Sequence, residues 1–561
     1  MPCSVLPTHF FTSTCIFQVI VVGAGTAGTA FALRMAEDGH KVTLVERCMD
    51  IPHRIVGELM QPGGIRALET MGLSDAAKTA AIDPVQVDGY VCFTPGSDRG
   101  NDLVLPYPTN DPSTIAEFVG VFQEDTQKRI DGIERGPIRS GFQTRPPVAD
   151  AAAPYGRSFH NHRFVQALRD MAAKHANITF VEGRVTKLLT PADCGAGHPG
   201  AKLNGGVDST VAGVQWVDQN KEKHNLTAPL TVVADGAHSP LRRHVMKQTS
   251  IDTTSYFVGL VLNHKEGTCP LPYPRHGHVV LADPNPVLLY QISSTETRIL
   301  VDVPAPLPNP EDGSLQKYLL DVVTHQLPEA ARPLFEEAAK TQNADVCANK
   351  HMPAQPFTRQ HAVAVGDSWN MRHPLTGGGM TVALKDVCSL WQHLRGVDLT
   401  DTAAVQAAMQ KHTQSRTEHA STINVLANAL HGVFTNPAAA KGAGGDAGDG
   451  TRARLREACM RYLSLGGAYT AGPVGLLAGL TAKPWVLVAH FFAVALYAVK
   501  HAILPYPTFK SMQQAYDLLR VACIIIMPLL TAEKATVLSW SPVQWLIHAM
   551  FPWKGVELNA V

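Results

Sequence analysis

The chain has 561 residues, too many for one ordinary domain, so we expect several units. Its 48 basic and 48 acidic residues cancel, and this balance argues against a nucleic-acid-binding protein. Charged residues make up only 17% of the chain, fewer than soluble domains usually carry. The ten cysteines and 24 histidines lack CxxC and HExxH spacing, so we expect no metal site and no disulfide framework.

The first predicted unit has the pattern of a dinucleotide-binding fold. Residues 1–18 read as an N-terminal extension without the basic segment and cleavage site of a signal peptide. The β-branched run at 19–22 predicts a strand buried on both faces, 29–38 predicts a helix, and 41–46 predicts a second strand. We therefore expect a Rossmann-like α/β domain at the start of the chain.

The turn between the first strand and the helix carries a glycine motif, GAGTAG, at residues 23–28. Its first glycine permits a tight turn, its second lets the backbone approach a pyrophosphate, and its third lets helix and strand pack closely. The helix N-terminus favours the negative charge of a phosphate. The residues predicted to bind the nucleotide are Gly23, Gly25, Thr26, Ala27, Gly28 and, through a ribose, Glu46. This motif alone does not distinguish NAD(P) from FAD.

Two later strand-like segments narrow the choice of cofactor. Residues 231–237 run into an Asp-Gly turn, and residues 361–367 end in Gly-Asp. With the glycine motif, in this order, they resemble the class A flavin monooxygenases. The resemblance implies FAD as the cofactor, with Asp367 holding its ribityl chain and Asp235 shaping the surrounding region.

A second glycine cluster follows the Gly-Asp element. Gly377, Gly378 and Gly379 precede Met380 and a predicted helix at 381–394. Glycines at a helix start expose backbone N–H groups, which suit the edge of a flavin ring or a pyrophosphate. We expect this cluster to belong to the cofactor site.

Longer segments resemble one family within this class, the squalene epoxidases. They are residues 54–64 (RIVGELMQPGG), 156–164 (GRSFHNHRF), 226–236, 286–294, 370–380 (NMRHPLTGGGM) and 471–477. The resemblance implies an FAD-dependent monooxygenase of sterol biosynthesis. Such an enzyme inserts one atom of O₂ into a terminal double bond of squalene and gives (S)-2,3-epoxysqualene.

The resemblance also implies roles for individual residues. Those implied to contact FAD, besides the glycine motif, are Glu46, Arg47, Arg54, Leu59, Arg163, Val185, Asp235, Asp367, Gly378, Gly379 and Met380. Gln61 and Tyr90 are implied to form a catalytic polar pair beside the flavin. A buried tyrosine hydroxyl needs a hydrogen-bond partner, and a glutamine carbonyl is a suitable one. Without the resemblance, Tyr90 reads as a core aromatic residue.

The resemblance further implies partners and a location. NADPH is the expected indirect source of electrons, through a separate NADPH-cytochrome P450 reductase, because the chain has one dinucleotide fingerprint. Membrane lipid is a further expected partner, at the endoplasmic reticulum or microsomal membrane with the catalytic domain facing the cytosol. Another flavin-dependent enzyme acting on isoprenoids at a membrane, such as a cyclase, an isomerase or a reductase, stays open as an alternative.

We expect three structural parts: a Rossmann-like FAD-binding domain of the flavoprotein monooxygenase type, an antiparallel-sheet substrate domain and a C-terminal helical region. The expected boundaries are 19–108, 156–250 and 351–400 for the FAD-binding domain, 109–155 for a flexible insertion rich in Asp, Arg, Gly and Pro, 251–350 for the substrate domain, and 401–561 for the C-terminal region. Strand-like runs at 256–262, 278–281, 287–292 and 298–303 define the substrate domain.

The C-terminal region is expected to anchor the protein in a membrane. A low-complexity linker at 437–450 precedes an uncharged run at 485–499. As a helix, that run would reach about 22 Å, which is short of a ~30 Å hydrocarbon core. Residues 521–532 form a shorter run with Pro528, and 537–553 are rich in tryptophan. These runs favour helices that dip into one leaflet over helices that span the bilayer, and a soluble helical domain with an apolar core stays open as an alternative.

Overall fold

The computed structural model describes residues 17–50, 54–94, 102–109, 153–194, 209–435, 448–481 and 483–533. Several predicted segments fall outside the described residues: nearly all of the N-terminal extension and of the insertion at 109–155, most of the linker at 437–450, and the tryptophan-rich segment at 537–553.

Eighteen strands and twelve α-helices are present among the described residues. The strands are β1 (Val19–Val22), β2 (Val42–Glu46), β3 (Leu59–Met60), β4 (Val85–Val87), β5 (Gly89–Phe93), β6 (Leu103–Pro106), β7 (Gly156–Ser158), β8 (Ile178–Glu182), β9 (Arg184–Leu189), β10 (Gly213–Val217), β11 (Lys223–Thr227), β12 (Leu230–Val233), β13 (Asp252–Asn263), β14 (His276–Val280), β15 (Val287–Gln291), β16 (Glu296–Pro304), β17 (Asp345–His351) and β18 (Ala362–Ala364). The helices are α1 (Thr26–Glu37), α2 (Pro62–Thr70), α3 (Asn161–Ala173), α4 (Arg242–Val245), α5 (Ser314–Tyr318), α6 (Arg332–Thr341), α7 (Gly379–Leu394), α8 (Thr402–Phe434), α9 (Gly448–Leu463), α10 (Ala468–Leu477), α11 (Pro484–Ile503) and α12 (Phe509–Ala532).

A five-stranded parallel sheet forms the centre of the predicted Rossmann-like domain. Its strand order is β18-β12-β1-β2-β8, and every residue of β1 is buried, as a strand covered on both faces requires. All strands run the same way, so their carboxyl ends lie at one edge. Glu46 ends β2, and the glycine turn, Asp235 and Asp367 follow β1, β12 and β18, so all four lie at that edge. The predicted α/β fold is confirmed.

A seven-stranded sheet forms the second layer, in the order β17-β13-β16-β15-β14-β5-β6. It is antiparallel except for the parallel pair β14–β5, and it contains all four strand-like runs predicted for the substrate domain. It also takes β5 and β6 from the range 19–108, which the sequence pattern groups with the FAD-binding domain. Local patterning gives the existence of a strand and not its partner, so this exchange between sheets was not predictable.

The two faces of the seven-stranded sheet have different coverings. One face packs on the segment that contains α5 and α6, through residues such as Val280, Ile299 and Phe335. The other face, which carries Tyr90 and Cys92, packs under the C-terminal helices α8 to α12. The C-terminal region is therefore joined to the body of the protein by an extensive apolar contact.

The last two helices are longer than the sequence predicts. Helix α11 has 20 residues and α12 has 24, and both are long and apolar enough, by length and composition, to cross a membrane. The expected limit at 485–499 was wrong because Pro484 occupies the first helical turn, where proline is tolerated, and Lys500 and His501 continue the helix at its C-terminal end. Pro528 lies inside α12 without ending it.

The turn after α10 fastens the C-terminal region to the FAD-binding domain. The backbone N–H of Gly63 donates to the carbonyl of Ala478 at 2.8 Å, and Lys385 Nζ donates to the carbonyl of Gly479 at 2.5 Å. A Cβ atom on Gly63 would lie 2.5 Å from the Gly479 oxygen, so only glycine permits this approach. Burial lowers the pKa of Lys385 to about 8.

Candidate active site

The three glycines of the turn at residues 23–28 differ in how closely other atoms approach them. Gly23 has a φ of +104°, and a Cβ there would lie 2.4 Å from the oxygen of Ala234. A Cβ on Gly28 would lie 1.9 Å from the oxygen of Gly23. By contrast, a Cβ on Gly25 would meet nothing within 4 Å, beside the N-terminus of α1. Two glycines thus serve packing, and the third borders open space that suits a pyrophosphate.

Glu46 is held against this turn. Its Oε2 accepts a hydrogen bond from the Ala24 N–H at 2.7 Å and lies 3.7 Å from Arg169 Nη2. The buried Arg169 also donates from Nε to the Ala24 carbonyl at 2.9 Å, and this bond helps to hold the conformation of the glycine turn. Arg169 was missed from the sequence. The signal was available, because Arg169 lies on the same face of α3 as the apolar Val165 and Ala172.

Asp235 has a buried carboxylate oxygen, Oδ1, without a hydrogen-bond donor among the described residues. Burial raises the pKa of Asp235 to about 6, against the opposing effects of its hydrogen bond with Ser239 and the charge of Arg242. An orphaned acceptor next to the glycine turn fits a cofactor that brings hydroxyl groups.

The glycine cluster near residue 378 stands at the start of α7. Gly378 caps the helix, Gly379 begins it, and Met380 is buried beside Gly57. Arg372 holds this start, because its Nη1 donates to the Gly379 carbonyl at 3.3 Å. A Cβ built on Gly379 would come no closer than 3.7 Å to its nearest neighbour, Arg372, whereas a Cβ on Gly378 would lie 2.5 Å from Ile423, so the helix N-terminus has space on the Gly379 side.

The remaining residues expected at the cofactor lie around the same edge. Thr26 and Ala27 begin α1, Arg47 follows β2 and is exposed, Arg54 is exposed near Gly236, Leu59 is buried in β3, Arg163 is half-buried in the first turn of α3, Val185 is buried in β9, and Asp367 is half-buried after β18. Open space at Gly25 and at the start of α7, together with the orphaned Asp235 oxygen, fits a long dinucleotide such as FAD.

Gln61 and Tyr90 are in direct contact at the other end of the site. Gln61 Nε2 donates to the Tyr90 hydroxyl and also to the Thr376 carbonyl at 2.9 Å. The Tyr90 hydroxyl donates to the same carbonyl at 3.2 Å, and the Tyr107 hydroxyl donates to Gln61 Oε1 at 2.8 Å. Burial raises the pKa of Tyr90, so its hydroxyl keeps its proton at neutral pH. Tyr107 and Thr376 were not predicted as members of this group.

An apolar pocket begins at this polar group. Its cavity measures about 130 Å³ and is open to solvent at its mouth. Tyr90, Cys92 and Leu105 of the seven-stranded sheet form one wall, Leu375 and Thr376 reach it from the glycine cluster, and α8 to α12 form the other walls. The range 251–350, predicted as the substrate domain, contributes Val279 alone among the lining residues, so the C-terminal helices form most of the pocket walls.

One buried cluster has the residue types of a metal site. Asp302, His373 and His431 place their ligand atoms within 4.8 Å of one another. However, the Leu375 N–H donates to Nδ1 of His373 at 3.2 Å, so Nε2 carries the proton of the neutral ring. A protonated nitrogen is no metal ligand. Although burial alone would raise the pKa of Asp302, His373 and His431 outweigh it and lower this pKa.

This fold and this site define an FAD-binding flavoprotein of the monooxygenase class. A family model of an FAD-binding domain matches residues 18–50. Two solved structures show the same fold at low identity. Klebsiella pneumoniae HpxO, complexed with FAD and uric acid, is 15% identical with a TM-score of 0.54 over 82% of this chain and 97% of that chain. The myxobacterial FAD-dependent halogenase CndH is 15% identical with a TM-score of 0.52 over 82% and 97%.

A second family model, squalene epoxidase, matches residues 227–516. Squalene epoxidase 2, mitochondrial, of Arabidopsis thaliana is 40% identical over 92% of this chain and 76% of its own length. The squalene monooxygenase of Mus musculus is 34% identical over 92% and 78%, and the squalene epoxidase of Aspergillus fumigatus is 34% identical over 92% and 93%. The chain belongs to the squalene epoxidase family.

Proposed function

We propose that this protein epoxidises squalene. One atom of O₂ enters a terminal double bond to give (S)-2,3-epoxysqualene, and the other leaves as water after two electrons and two protons are supplied. The observation that carries the proposal is the apolar pocket, which begins at Tyr90 and Thr376, where Tyr90 contacts Gln61 beside the glycine cluster of α7. A hydrocarbon needs such a lining, because it offers no polar group for recognition.

FAD would be held by the residues around the carboxyl edge of the parallel sheet. The open space at Gly25 would take the pyrophosphate, Glu46 a ribose, Asp367 the ribityl chain, and the start of α7 the ring edge. When bound and reduced, FAD supplies the activated oxygen. The residues Arg47, Arg54, Leu59, Arg163, Val185, Asp235 and Met380 would complete the contacts.

The chain itself positions the alkene and excludes water. Gln61 and Tyr90 share the Thr376 carbonyl, so they tie the pocket wall to the loop that precedes Gly378. The apolar helices close the remaining sides, and a dry chamber protects a reactive oxygen species from loss to solvent. We assign Gln61 and Tyr90 to this closure and to alkene placement.

The electrons are proposed to come from NADPH through a separate NADPH-cytochrome P450 reductase. The support is the sequence, which carries one dinucleotide fingerprint, at residues 23–28. The location is proposed to be the endoplasmic reticulum membrane, with the catalytic part facing the cytosol.

The contact with lipid is proposed to be the tip between α11 and α12. Seven of the nine exposed large apolar side chains among the described residues belong to these helices and their connection. The most exposed are Tyr506 and Phe509, at 77% and 88%. Lys500 and Lys510 flank them and suit anionic headgroups. Such an apolar patch is unusual on a soluble surface and favours an interface with lipid.

The decisive assay uses full-length protein purified in detergent, with squalene, NADPH and reductase. After subtraction of the O₂ consumed without squalene, we expect one O₂ consumed for each molecule of epoxysqualene formed. Conversion of squalene without O₂ consumption would instead favour a cyclase or isomerase.

A further inference from the structure

We propose that Glu533, directly after α12, is a positioning residue for the flavin site. Its carboxylate acts through Arg372 on the start of α7 and on Asp367. The inference rests on the proposed binding of FAD at those two places. It assigns to the C-terminal helices a role in setting the cofactor, in addition to their role as pocket walls.

Glu533 is anchored deep in the protein although it ends a helix with an apolar surface. It is 6% exposed. Its Oε2 accepts a hydrogen bond from Asn424 Nδ2 at 3.0 Å, and its main-chain carbonyl accepts one from Ser421 Oγ at 3.0 Å. Both donors lie on α8, so the end of α12 is fixed against the helix that follows the FAD-binding domain.

Asn370 connects this anchor to the cofactor segments. Its Oδ1 accepts hydrogen bonds from Arg372 Nη2 at 2.9 Å, Arg416 Nη2 at 3.1 Å and Asn424 Nδ2 at 2.7 Å. The Asn424 amide thus bridges Asn370 and Glu533. Asn370 stands three residues after Asp367. The side-chain amide of Asn424 therefore connects Glu533 to the segment that contains the Gly-Asp element.

The charges of the group explain why a carboxylate is needed at this position. Two buried guanidinium groups, Arg372 and Arg416, lie together. Arg416 pairs with Asp386 at 3.0 Å, and His419 also contacts Asp386, at 2.8 Å. Burial lowers the pKa of Arg372, and the carboxylates of Asp367, Asp386 and, with the smallest effect, Glu533 oppose this. Burial raises the pKa of Glu533, while the charge of Arg416, the hydrogen bond from Asn424 and the charge of Arg372 favour its carboxylate form. A buried charge without an opposite charge nearby raises the free energy of the folded state. Glu533 therefore stabilises the buried position of Arg372.

Arg372 connects Glu533 to the segments proposed to bind the flavin. Its Nη1 donates to the Gly379 carbonyl, and its Nη2 donates to the Asn370 carbonyl at 2.6 Å. The guanidinium therefore bridges the Gly-Asp segment and the first residue of α7. Removal of the Glu533 charge leaves more positive potential at this bridge, and positive potential near a flavin favours its reduced form.

The test compares Glu533→Gln with Asp517→Asn in the full-length protein in detergent. Asp517 is half-buried on the same helix, so the control removes the same charge away from the group. We expect Glu533→Gln to bind FAD about tenfold more weakly and to shift the flavin reduction potential to more positive values. Asp517→Asn is expected to match the wild type in both. A merely structural role would lower the unfolding temperature and leave the potential unchanged.

Wild-type affinity and potential in Glu533→Gln would overturn the inference, as would weaker binding without a change of potential. If this variant does not fold, Glu533→Asp decides. It keeps the charge at a greater distance, so we expect FAD affinity to fall by about threefold, and an unchanged affinity overturns the inference. A wild-type protein that binds no FAD would refute the proposed function itself, which separates the two failures.

Discussion

The Tyr107 hydroxyl donates a hydrogen bond to the Oε1 atom of Gln61 at 2.8 Å, and this bond joins two residues that the sequence pattern groups in one domain but the structure places in different layers. Gln61 caps α2 of the FAD-binding domain, and Tyr107 follows β6 of the seven-stranded sheet. The polar end of the pocket therefore lies where the start of α2 meets the seven-stranded sheet.

Tyr107→Phe is expected to lower the free energy of unfolding by about 1–3 kcal/mol, because Gln61 Oε1 loses a buried donor. Squalene turnover should fall as well, since Gln61 loses the bond that fixes its amide. Thermal unfolding and an epoxidation assay measure the two effects. Tyr506→Phe, at an exposed tyrosine, is the control. Unchanged stability and turnover in Tyr107→Phe would contradict this role.

Gly25→Ala and Gly28→Ala are expected to fail in different ways. The Gly25 Cβ meets no atom within 4 Å, so the variant should fold but bind FAD at least about tenfold more weakly. The Gly28 Cβ would lie 1.9 Å from the Gly23 carbonyl, so that variant should lose the fold of the parallel sheet. Flavin content and the unfolding temperature separate the two. Normal FAD affinity in Gly25→Ala would argue that the pyrophosphate lies elsewhere.

Stability should fall in acid through Asp386. Burial would raise its pKa, but Arg416 and His419 outweigh this and lower the pKa to about 2. Because the folded-state value lies below the unfolded value near 4, Asp386 stabilises the fold above about pH 4, and this contribution is lost as the pH falls towards 2. Its size is about 2–3 kcal/mol. Unfolding followed by circular dichroism from pH 6 to pH 2 should show a shallower acid limb in Asp386→Asn than in the wild type. Parallel acid limbs would refute this assignment.

Tyr506→Ser combined with Phe509→Ser is expected to release the protein from lipid vesicles while FAD binding persists. The two side chains are exposed at the tip of the α11–α12 pair and do not line the pocket. Turnover in detergent should be retained, and turnover on squalene in vesicles should fall. Vesicle flotation and the two assays provide the comparison. Undiminished flotation of the double variant would show that the tip is not the membrane contact.

A chain that stops after Thr435 is expected to lose turnover in detergent as well as in vesicles. Residues of α9 to α12, including Leu455, Val474 and Phe491, form pocket walls, so their removal opens the chamber to water. A mere anchor would be dispensable in detergent. Full detergent activity of this truncated protein would therefore count against the observed packing.

Sequence patterning was sufficient for four of the five strands of the parallel sheet and for its edge, whereas β8 was not predicted. The strand at 19–22, the glycine turn and Glu46 lie within a single local unit, where spacing alone determines geometry. The boundary errors at α1, α11 and α12 arise at helix ends, where flanking polar residues are compatible with a continued helix.

The pocket could not be assembled from the sequence in the same way. Its walls come from β5, the loop at Leu375 and five distant helices, and such long-range packing leaves no local signature. The same holds for Glu533 and Arg372, whose relationship depends on Asn424 and Asn370. The residue roles at the cofactor site remain predictions, which the variants above test.

During synthesis the parallel sheet is complete before most of the pocket walls have been made. The last strand of the parallel sheet ends at Ala364, whereas lining residues extend to Ala522. Domains fold as they emerge, so the sheet can pair while the apolar face that carries Tyr90 and Cys92 is still uncovered. During synthesis this face is an aggregation hazard that a nearby bilayer or chaperone would shield.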